Sequence, residues 1–471
     1  MRKTKIIATL GPSSWEENVI RRLVEEGVDG FRFNFSHAQY DIFSKVAFLI
    51  SSLEYSYRLP IIGDLQGPVV RLGDLEPLTV KRGEVIYFIY GEKGSSDARE
   101  VPIPNKLVFE TIREGDEILL ESGRLAFRVT SVKEGKIITE ALVDGVIKSR
   151  KTLAIRGKDL PLSPLTEKDV YDIKFAVKNG FDAIALSFVK SGDDIQRLRE
   201  ILYDLDAEEM KIIAKIETKS AVENIDDIIE KADIILVARG DLAIYYRLEE
   251  IYRIQHYIVE KARSKGKPTI IATQLLESMV ENPVPTRSEV VDVITAVKMG
   301  SDALLLAGET AAGKYPLEAV KWLVRIINEA EREENGFSDL EPENLSETIA
   351  KGVVVLSHII GGKILAYSEK GSTARRLAKF RPTNGAYVFT SSVKTSRYMS
   401  LLRGIYPILV EGLDKTSPRL FDILLKYALD KDIVGIGDLV IFTAGRRKGT
   451  TDVIRVEKVK LHTDVEHYEH S

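Results

Sequence analysis

The sequence of 471 residues predicts an α/β protein: a (β/α)8 TIM barrel with an inserted all-β lid domain and a C-terminal α/β domain. Three observations support this fold class. Short apolar runs alternate with helix-like segments eight times, a stretch of short alternating runs interrupts them, and a further strand–helix series follows a charged segment. We expect the barrel at 1–67 and 152–335, the lid at 68–151, the C-terminal domain at 336–460 and a tail at 461–471.

The barrel strands are expected at KIIATL, GFRFNF and PIIGDL before the insertion, and at DAIALSF, KIIAKIE, IILVARGDL, PTIIATQ and DALLLAGE after it. Capping patterns predict helix starts after three of them, at Ser14, at Thr166 and at Ser220 with Glu223. A doubly wound sheet is the alternative fold, but it more often carries a nucleotide fingerprint after its first strand.

The insertion is expected to be all-β because EVIYFIY, DEILLE, RLAFRVT and KIITEAL alternate without a long amphipathic helix between them. Residues 329–347 are charged and polar and predict a linker. KILAYS, AYVFTS and DLVIFT then predict the strands of the C-terminal domain. The final residues, LHTDVEHYEHS, hold three of the six histidines. A loose or vector-derived tail is favoured there over a metal site.

Composition excludes several functional classes. The chain has 67 basic and 71 acidic residues, a net charge of −4, which argues against nucleic-acid binding. It has no cysteine, so disulfides, thiolate metal sites and cysteine nucleophiles are excluded. No apolar run has the length of a signal-peptide core or a membrane span, so we expect a cytoplasmic protein without a membrane partner.

Polar side chains stand at the carboxyl ends of the predicted strands, where barrels of this kind place their chemistry. Taken singly, each is explained by a cap, a turn or a surface pair, but together they favour a functional site. In chain order they are Arg32, Asn34, Ser36, His37, Asp64, Arg71, Lys215, Glu217, Arg239, Gly240, Asp241, Thr273, Gln274, Glu309 and Thr310.

Carboxylates and cations from this set fit a metal-assisted phosphate chemistry. Glu217 and Asp241 follow neighbouring strands and offer hard oxygen ligands for Mg²⁺ or Mn²⁺. Arg32, Arg71 and Lys215 can clamp phosphoryl oxygens, and a lysine beside a metal stabilises charge that develops in a transition state. The prediction is phosphoryl transfer or enolate formation.

Two further features belong to the same set of loops. Thr273 is small and polar and can position a proton-carrying water. GETAAGKY at 308–315 fits a phosphate-binding loop only in part, because Tyr315 stands where that loop needs Ser or Thr for Mg²⁺. A helix-entry turn is therefore favoured for this segment.

Along nearly its whole length the chain resembles the pyruvate kinase family. The motifs that carry the resemblance follow the family's order: FRFNFSH, GDLQGPVVRLG, SRKTLAIRG, TEKD, KIIAKIE, VARGDLA, ATQLLESM, NPVPTRSE and LAGETAAGKYPLEAV. The resemblance implies transfer of the phosphoryl group of phosphoenolpyruvate to ADP, giving pyruvate and ATP in the last step of glycolysis. It also implies an allosteric effector domain and a homotetramer.

The resemblance also implies roles for single residues. Lys215 stabilises the transferring phosphoryl group and the forming enolate, while Glu217 and Asp241 hold the divalent metal. The amides around Gly240 and Asp241, at a helix start, bind the substrate carboxylate together with Thr273, which also lies on the route that protonates the enolate.

The nucleotide side and a monovalent-cation site are implied in the same way. Arg32 and Arg71 hold phosphates, with Asn34, His37 and the lid-hinge Lys151 on the nucleotide side. The family's monovalent-cation ligands match Asn34, Ser36 and Asp64.

The sequence departs from the family at several positions. Val69 stands where K⁺-dependent members have Glu and K⁺-independent members have Lys, so we expect independence from K⁺. Ala243 replaces a glycine, Tyr245 an acidic residue and Ala307 a serine, while TLAIRG replaces GVNLPG at the lid hinge.

An effector site is expected in the C-terminal domain. SEKGST precedes a helix, which an ordinary capped helix start explains, but the resemblance favours a phosphate cradle for a phosphorylated effector. The candidate residues are Ser368, Lys370, Gly371, Ser372 and Thr373, with Arg446, Arg447 and Lys448 from the loop GRRKGTT.

Two other functions compete with this prediction. One is a metal-dependent aldolase or phosphotransferase that uses an enolate without ADP, which the long lid argues against. The other is a catalytically silent metabolite sensor, disfavoured because Lys215, Glu217, Asp241 and Thr273 are all present.

Overall fold

The barrel is assembled from two separate parts of the chain. The computed structural model describes residues 1–133, 135–333, 336–413, 417–445 and 449–460. Numbering strands in chain order, the first three barrel strands are β1 (Lys5–Leu10), β2 (Gly30–Asn34) and β3 (Ile61–Asp64). Each is almost entirely buried, which explains why these segments are continuous apolar runs rather than alternating ones.

The lid follows β3 and forms a six-stranded sheet beside a two-stranded one. Its strands are β4 (Leu78–Val80), β5 (Val85–Tyr90), β6 (Glu100–Ile103), β7 (Glu117–Leu120), β8 (Leu125–Lys133), β9 (Lys136–Ala141), β10 (Gly145–Ile147) and β11 (Leu153–Ile155). A short helix, Lys106–Thr111, lies among them. β11 pairs with β7, so the lid sheet continues past residue 151, where the sequence had suggested that it ends.

Five more strands complete the barrel. They are β12 (Ala183–Leu186), β13 (Lys211–Ile216), β14 (Ile234–Ala238), β15 (Thr269–Ala272) and β16 (Ala303–Leu306). Within the described residues the eight parallel strands close in the order β1-β16-β15-β14-β13-β12-β3-β2, so the predicted barrel is confirmed. All eight therefore end at one rim, where the candidate residues stand.

The helices of the barrel domain surround these strands. They span Glu17–Glu25, Tyr40–Ser52, Glu167–Lys178, Gly192–Asp204, Lys219–Glu223, Ile225–Lys231, Arg239–Tyr245, Ile251–Ser264, Arg287–Lys298, Gly308–Ala311 and Pro316–Glu331. Short 3₁₀ turns lie at Phe35–His37, Ser56–Arg58, Leu248–Glu250 and Glu277–Val280 in this domain, and at Glu121–Gly123 in the lid. Alternate strand residues pack outward on these helices, as Ile6 does, or fill the barrel interior, as Ile7 does.

One of the three capping predictions is confirmed and two are wrong. Thr166 forms a capping box with Asp169. Ser14 does not cap the first helix, because its hydroxyl accepts a hydrogen bond from the Gly11 amide at 3.1 Å. The helix after β13 is capped by Thr218 rather than Ser220, because Thr218 Oγ1 reaches the Ala221 amide at 3.0 Å.

The C-terminal domain is a five-stranded sheet with helices. Its strands are β17 (Lys363–Tyr367), β18 (Ala386–Thr390), β19 (Ile405–Leu409), β20 (Leu439–Ala444) and β21 (Val453–Lys458), in the order β19-β18-β17-β20-β21, with only β21 antiparallel among those described. Its helices span Leu345–Ile360, Ser372–Lys379, Val393–Met399 and Leu420–Asp430. The sequence did not predict β19 or β21, and the expected linker at 329–347 is shorter, because helices occupy both of its ends.

Buried charges join this domain to the amino-terminal face of the barrel. Lys5, at the start of β1, is buried and donates to the Ile405 carbonyl at 2.6 Å. Burial lowers the pKa of Lys5 to about 8. Arg397 pairs with Asp182 at 3.2 Å. In the described part of the chain, no helix is long and apolar enough to cross a membrane.

Candidate active site

Lys215 lies at the centre of the carboxyl rim, and three oxygens surround its ammonium. Nζ is 2.7 Å from Glu217 Oε1, 3.1 Å from Asp64 Oδ1 and 2.7 Å from Ser187 Oγ. Lys215 is 12% exposed and both carboxylates 2%. Burial acts to lower the pKa of Lys215, but Asp64 and Glu217 raise it above its ordinary value. The lysine is therefore a fixed, buried cation.

A second cation, Arg32, shares Asp64 with Lys215. Its Nε lies 2.7 Å from Asp64 Oδ2, and its Nη1 donates to Thr9 Oγ1 at 3.0 Å. Burial acts to raise the pKa of Asp64, but Lys215 and then Arg32 hold it below its usual range. Asp64 is thus ionised, and it fixes both cations on the rim.

Glu217 and Asp241 form a carboxylate pair at the ends of β13 and β14. Glu217 Oε2 accepts the Phe188 amide at 2.8 Å. Burial raises the pKa of Glu217 despite the neighbouring Lys215, and the charge of Asp241 adds to this effect. Burial likewise raises the pKa of Asp241, whose carboxylate has neither a hydrogen bond nor an ion pair with any described residue. Three carboxylates therefore face two cations, which leaves room for further positive charge.

This donor set fits a divalent metal only in part. No group of three or more His, Cys, Asp or Glu side chains that could hold a metal ion occurs in the described ranges. The two carboxylates are hard oxygen donors, and Mg²⁺ commonly takes one or two protein carboxylates with water and substrate oxygens as its other ligands. The pair suits an ion that is completed by a substrate.

Thr273 and Gln274 follow β15 in an unusual backbone conformation. Their φ angles are 69° and 53°, which is costly for a β-branched threonine. Arg239 holds the turn: Nη2 donates to the Thr273 carbonyl at 2.7 Å and to the Gln274 carbonyl at 2.9 Å. Asp292 in turn pairs with Arg239 Nη1 at 2.6 Å. The strained turn directs Thr273 Oγ1 to the Gly240 amide, at 2.9 Å.

Other predicted residues lie further out or have structural partners. Asn34 Oδ1 accepts the Ser36 amide at 3.1 Å, and His37 is exposed. Glu309 is buried and accepts the Leu276 amide at 3.1 Å, and Thr310 donates to the Thr9 carbonyl at 2.8 Å. Glu309 and Thr310 thus hold loops of the rim together.

Two predicted cations come from the lid side. Arg71 is exposed and donates to the Arg150 carbonyl at 3.2 Å. Lys151 pairs with Glu121 at 3.0 Å. Between lid and barrel lies a cavity of about 190 Å³, whose walls include Asp241 and Phe188 from the barrel and Leu119 from the lid. The lid thus faces Asp241 across this cavity.

Sequence reasoning missed two supports of this rim. Ser187 accepts the hydrogen bond from Lys215 and donates to the Leu65 carbonyl at 2.7 Å. The signal for it was a serine at the end of an apolar strand. Asp159, in the segment that leaves the lid, accepts the Ser220 amide at 2.7 Å and thereby holds the helix after Glu217. No local pattern pointed to that contact, because the two segments are distant in sequence.

The predicted effector loop lies at the start of the helix Ser372–Lys379. Gly371 has a φ of 83°, and the Thr373 amide donates to Ser368 Oγ at 3.3 Å. Arg376, which the sequence did not suggest, donates to Thr451 Oγ1 at 3.1 Å and ties the two loops together. Arg446, Arg447 and Lys448 lie outside the described residues.

Comparison with known proteins shows the family of this architecture. Residues 1–320 match the family model for the pyruvate kinase barrel domain, and residues 347–457 match that for the pyruvate kinase alpha/beta domain. A pyruvate kinase from Pyrobaculum aerophilum is 38% identical over 88% of this chain and 91% of its own. One from Clostridium acetobutylicum is 33% identical over 98% of this chain and 100% of its own.

Solved structures agree with these matches. The crystal structure of a pyruvate kinase from Cryptosporidium parvum superposes with a TM-score of 0.90 at 30% identity, over 97% of this chain and 96% of that one. The crystal structure of the Pyrobaculum aerophilum protein gives a TM-score of 0.87 at 35% identity, over 98% of this chain and 100% of that one.

Proposed function

This chain belongs to the pyruvate kinase family, and on that premise we propose how its own residues carry out the family's reaction. It is a phosphotransferase that moves the phosphoryl group of phosphoenolpyruvate to ADP, giving pyruvate and ATP. The observation that carries the proposal is the buried ammonium of Lys215, held by Asp64, Glu217 and Ser187 at the rim of the barrel.

Lys215 stabilises the negative charge of the transferring phosphoryl group and of the enolate left behind. A fixed, desolvated cation needs no reorganisation when charge develops beside it, which is the main source of catalysis in phosphoryl transfer. Ser187 and Asp64 act through Lys215 by holding its ammonium in place. Arg32, fixed by Asp64 and Thr9, binds phosphate oxygens on the same rim.

Glu217 and Asp241 hold the divalent ion, Mg²⁺ or Mn²⁺. Support comes from the Asp241 carboxylate, which lacks a partner among the described residues, and from the excess of carboxylates over cations. When bound, such an ion withdraws charge from phosphoryl and enolate oxygens. Pyruvate kinases generally use Mg²⁺ and K⁺.

Thr273 and the Gly240 and Asp241 amides bind the carboxylate of phosphoenolpyruvate. In the structure the Gly240 amide donates to Thr273 Oγ1, so the substrate carboxylate takes over this donor and can receive a second hydrogen bond from the Thr273 hydroxyl. The same hydroxyl holds the water that protonates the enolate. Arg239 acts indirectly, because its hydrogen bonds to the Thr273 and Gln274 carbonyls hold the strained turn in place.

ADP binds on the side of the rim that faces the lid. The residues we assign to it are Arg32, Asn34, His37, Arg71 and Lys151. His37 and Arg71 are exposed, and Lys151 pairs with Glu121 of the lid, so a nucleotide reaches all three without displacing buried contacts.

A monovalent cation would have Asn34, Ser36 and Asp64 as ligands. Asp64 Oδ1 is buried and has no hydrogen-bond partner in the described chain, although Lys215 lies 3.1 Å away. Val69 supplies neither a carboxylate to hold K⁺ nor an ammonium to replace it. We therefore expect activity without K⁺.

We propose regulation and assembly by analogy with the family. A phosphorylated effector binds at Ser368, Lys370, Gly371, Ser372 and Thr373, with the helix start and Arg376 beside it. Arg446, Arg447 and Lys448 are assigned to the same site from sequence. We propose a homotetramer in the cytoplasm.

The test is pyruvate formation from phosphoenolpyruvate and ADP, with Mg²⁺ and K⁺ varied independently and ADP omitted as a control. Turnover that requires both ADP and a divalent ion, with a small effect of K⁺, is expected. Product formed without ADP would favour an enolate-using enzyme of another type. A manyfold activation by K⁺ would contradict the expectation that turnover is independent of K⁺ because position 69 is valine.

A further inference from the structure

A second cavity lies at the opposite end of the barrel from the active site. It has a volume of about 330 Å³ and opens between the amino-terminal face of the barrel and the C-terminal domain. Gly300, shortly before β16, lines it on the barrel side, and Arg381 and Arg403 line it on the other. We call it the base cavity.

Positive charge dominates the base cavity. Its described walls carry two carboxylates, Glu333 and Asp339. Lys298 already pairs with Glu333 at 2.7 Å. The cations that line it are Lys3, Arg263, Lys298, Arg381 and Arg403. Arg381 and Arg403 also pair with carboxylates behind the walls, Asp302 at 2.8 Å and Glu331 at 3.6 Å. On the walls themselves cations outnumber carboxylates, which favours an anion in the cavity.

Arg263 has no direct ion pair among the described residues, although Glu260, Asp302 and Asp339 act on its charge from a distance. Its guanidinium forms no hydrogen bond or ion pair with residues in the described ranges, and its Nε is buried. Buried polar groups without partners are rare and costly. Burial, and next the nearby Arg381, hold the pKa of Arg263 below its usual value. Arg263 is thus destabilised where it stands.

Arg381 approaches Arg263 across Gly300. A Cβ atom at Gly300 would lie 3.1 Å from Arg263 Nη1 and 3.8 Å from Arg381 Nη2, so both guanidinium groups border one small space. Arg381 pairs with Asp302 at 2.8 Å, but its Nε is also buried without a hydrogen-bond partner. Arg381 Nη2 already donates to the Gly300 carbonyl at 2.6 Å. Two guanidinium groups, each with an Nε that lacks a partner in the described chain, therefore border one small space.

We propose that the base cavity binds a phosphate-bearing anion, which is held by Arg263 from the barrel and by Arg381 from the C-terminal domain. Guanidinium groups match phosphate oxygens through paired N–H donors, and two of them suit a dianion. The volume exceeds what a single ion needs, so the ligand is a diphosphate or a phosphorylated metabolite.

This site is separate from the two phosphate sites discussed above. The active site lies at the other end of the strands, and the effector loop at 368–373 lies on the C-terminal sheet. Because its two arginines belong to different domains, the anion bridges the barrel and the C-terminal domain. It therefore stabilises their interface as well as neutralising Arg263.

Thermal unfolding and calorimetric titration of the full chain in metal-free buffer test the proposal. Inorganic pyrophosphate and a hexose monophosphate serve as separate probes. We expect at least one probe to raise the melting temperature of the wild type. In the Arg263→Gln variant the dissociation constant of that probe should increase about tenfold or more, as expected for the loss of a charged hydrogen-bond donor. The dissociation constant for Arg263→Lys, which keeps the charge without the paired donors, should lie between those of the wild type and Arg263→Gln.

The variant without any probe gives a second, opposite signature. Because Arg263 lacks a partner, Arg263→Gln should melt at the same temperature as the wild type or higher. A lower melting temperature would mean that Arg263 is already satisfied, and the proposal would be wrong.

Lys370→Gln, in the effector loop, is the matched control and should keep the Arg263-dependent binding. Binding at the active site contributes equally to wild type and Arg263→Gln, so their difference isolates the base cavity. The proposal is also wrong if neither probe binds, or if Lys370→Gln alone loses the probe.

Discussion

Replacing Lys215 by methionine tests the role of its ammonium in turnover separately from the role of the neighbouring carboxylates in metal binding. Methionine keeps most of the side-chain length but removes the ammonium, which lies 2.7 Å from Glu217, 2.7 Å from Ser187 and 3.1 Å from Asp64. A cation that stabilises developing charge in a closed site is worth about 3–4 kcal/mol. We therefore expect kcat to fall by about 10²–10³-fold or more.

The same change affects stability and metal binding differently. Removing one partner of a buried ion pair costs about 3–5 kcal/mol, although protonation of Glu217, whose pKa burial already raises, recovers part of it. The remaining carboxylates no longer share the site with an ammonium, and a bound Mn²⁺ competes with the proton for Glu217, so Mn²⁺ binding should persist.

Steady-state turnover and Mn²⁺ titration by calorimetry measure these two effects. Lys219→Met is the matched control, because Lys219 is 48% exposed and pairs only loosely with Glu223, at 3.8 Å. It should change kcat by less than about twofold, since exposed pairs contribute little. Glu217→Gln should instead lose Mn²⁺ affinity. Turnover of Lys215→Met within tenfold of the wild type, or loss of Mn²⁺ binding in that variant, would refute the proposed division of roles.

Three other changes test separate parts of the structure. Thr273→Val should lower kcat about 10–100-fold by removing the hydroxyl that faces Gly240, while Thr273→Ser should retain most activity; equal rates for the two would contradict the role of the hydroxyl. Val69→Glu should make turnover depend on K⁺, and K⁺ titration that leaves the variant unchanged would argue against position 69 as the determinant. Lys5→Met tests the cost of burying Lys5. The pKa of Lys5 is about 8 in the folded state and 10.5 in the unfolded chain, so the unfolded chain binds the proton more tightly. The free energy of unfolding of the wild type therefore rises between about pH 8 and pH 10.5. The free energy of unfolding of Lys5→Met minus that of the wild type, measured in urea, should therefore fall by roughly 3 kcal/mol between pH 7 and pH 10.5. A difference that stays constant with pH would show that burial does not destabilise the Lys5 ammonium.

The barrel and the centre of its site were predictable from sequence for one physical reason. Parallel strands buried on both faces are apolar, so charged residues at their ends, such as Lys215, Glu217 and Asp64, stand out from the pattern. Because all strands of such a barrel end at one rim, strand position alone brought these residues together. Which oxygen meets which ammonium depends on side-chain geometry and needed the structure.

The features that sequence missed depend on contacts between distant segments. Asp159 reaches the Ser220 amide across the lid connection, and Ser187 reaches Lys215 from the neighbouring strand. β21 pairs antiparallel with β20, but its side chains are mostly exposed and show no apolar alternation that would distinguish it from a loop. The prediction of a helix cap at Ser220 was wrong for a similar reason. Thr218 can also cap the helix, and only the backbone geometry decides between the two residues.

The two ends of the barrel carry opposite charge imbalances, and this contrast connects the active site with the base cavity. At the carboxyl rim, Asp64, Glu217 and Asp241 exceed the cations that they face, which favours the proposed metal ion. At the amino-terminal face, Asp302 pairs with Arg381 and leaves Arg263 without an ion pair among the described residues, which favours the proposed anion. Buried charge without a partner costs stability, and a fold keeps it where a ligand offsets the cost. The same argument that predicts the metal at one end therefore predicts the phosphate at the other, and the melting temperature of Arg263→Gln tests it independently of catalysis.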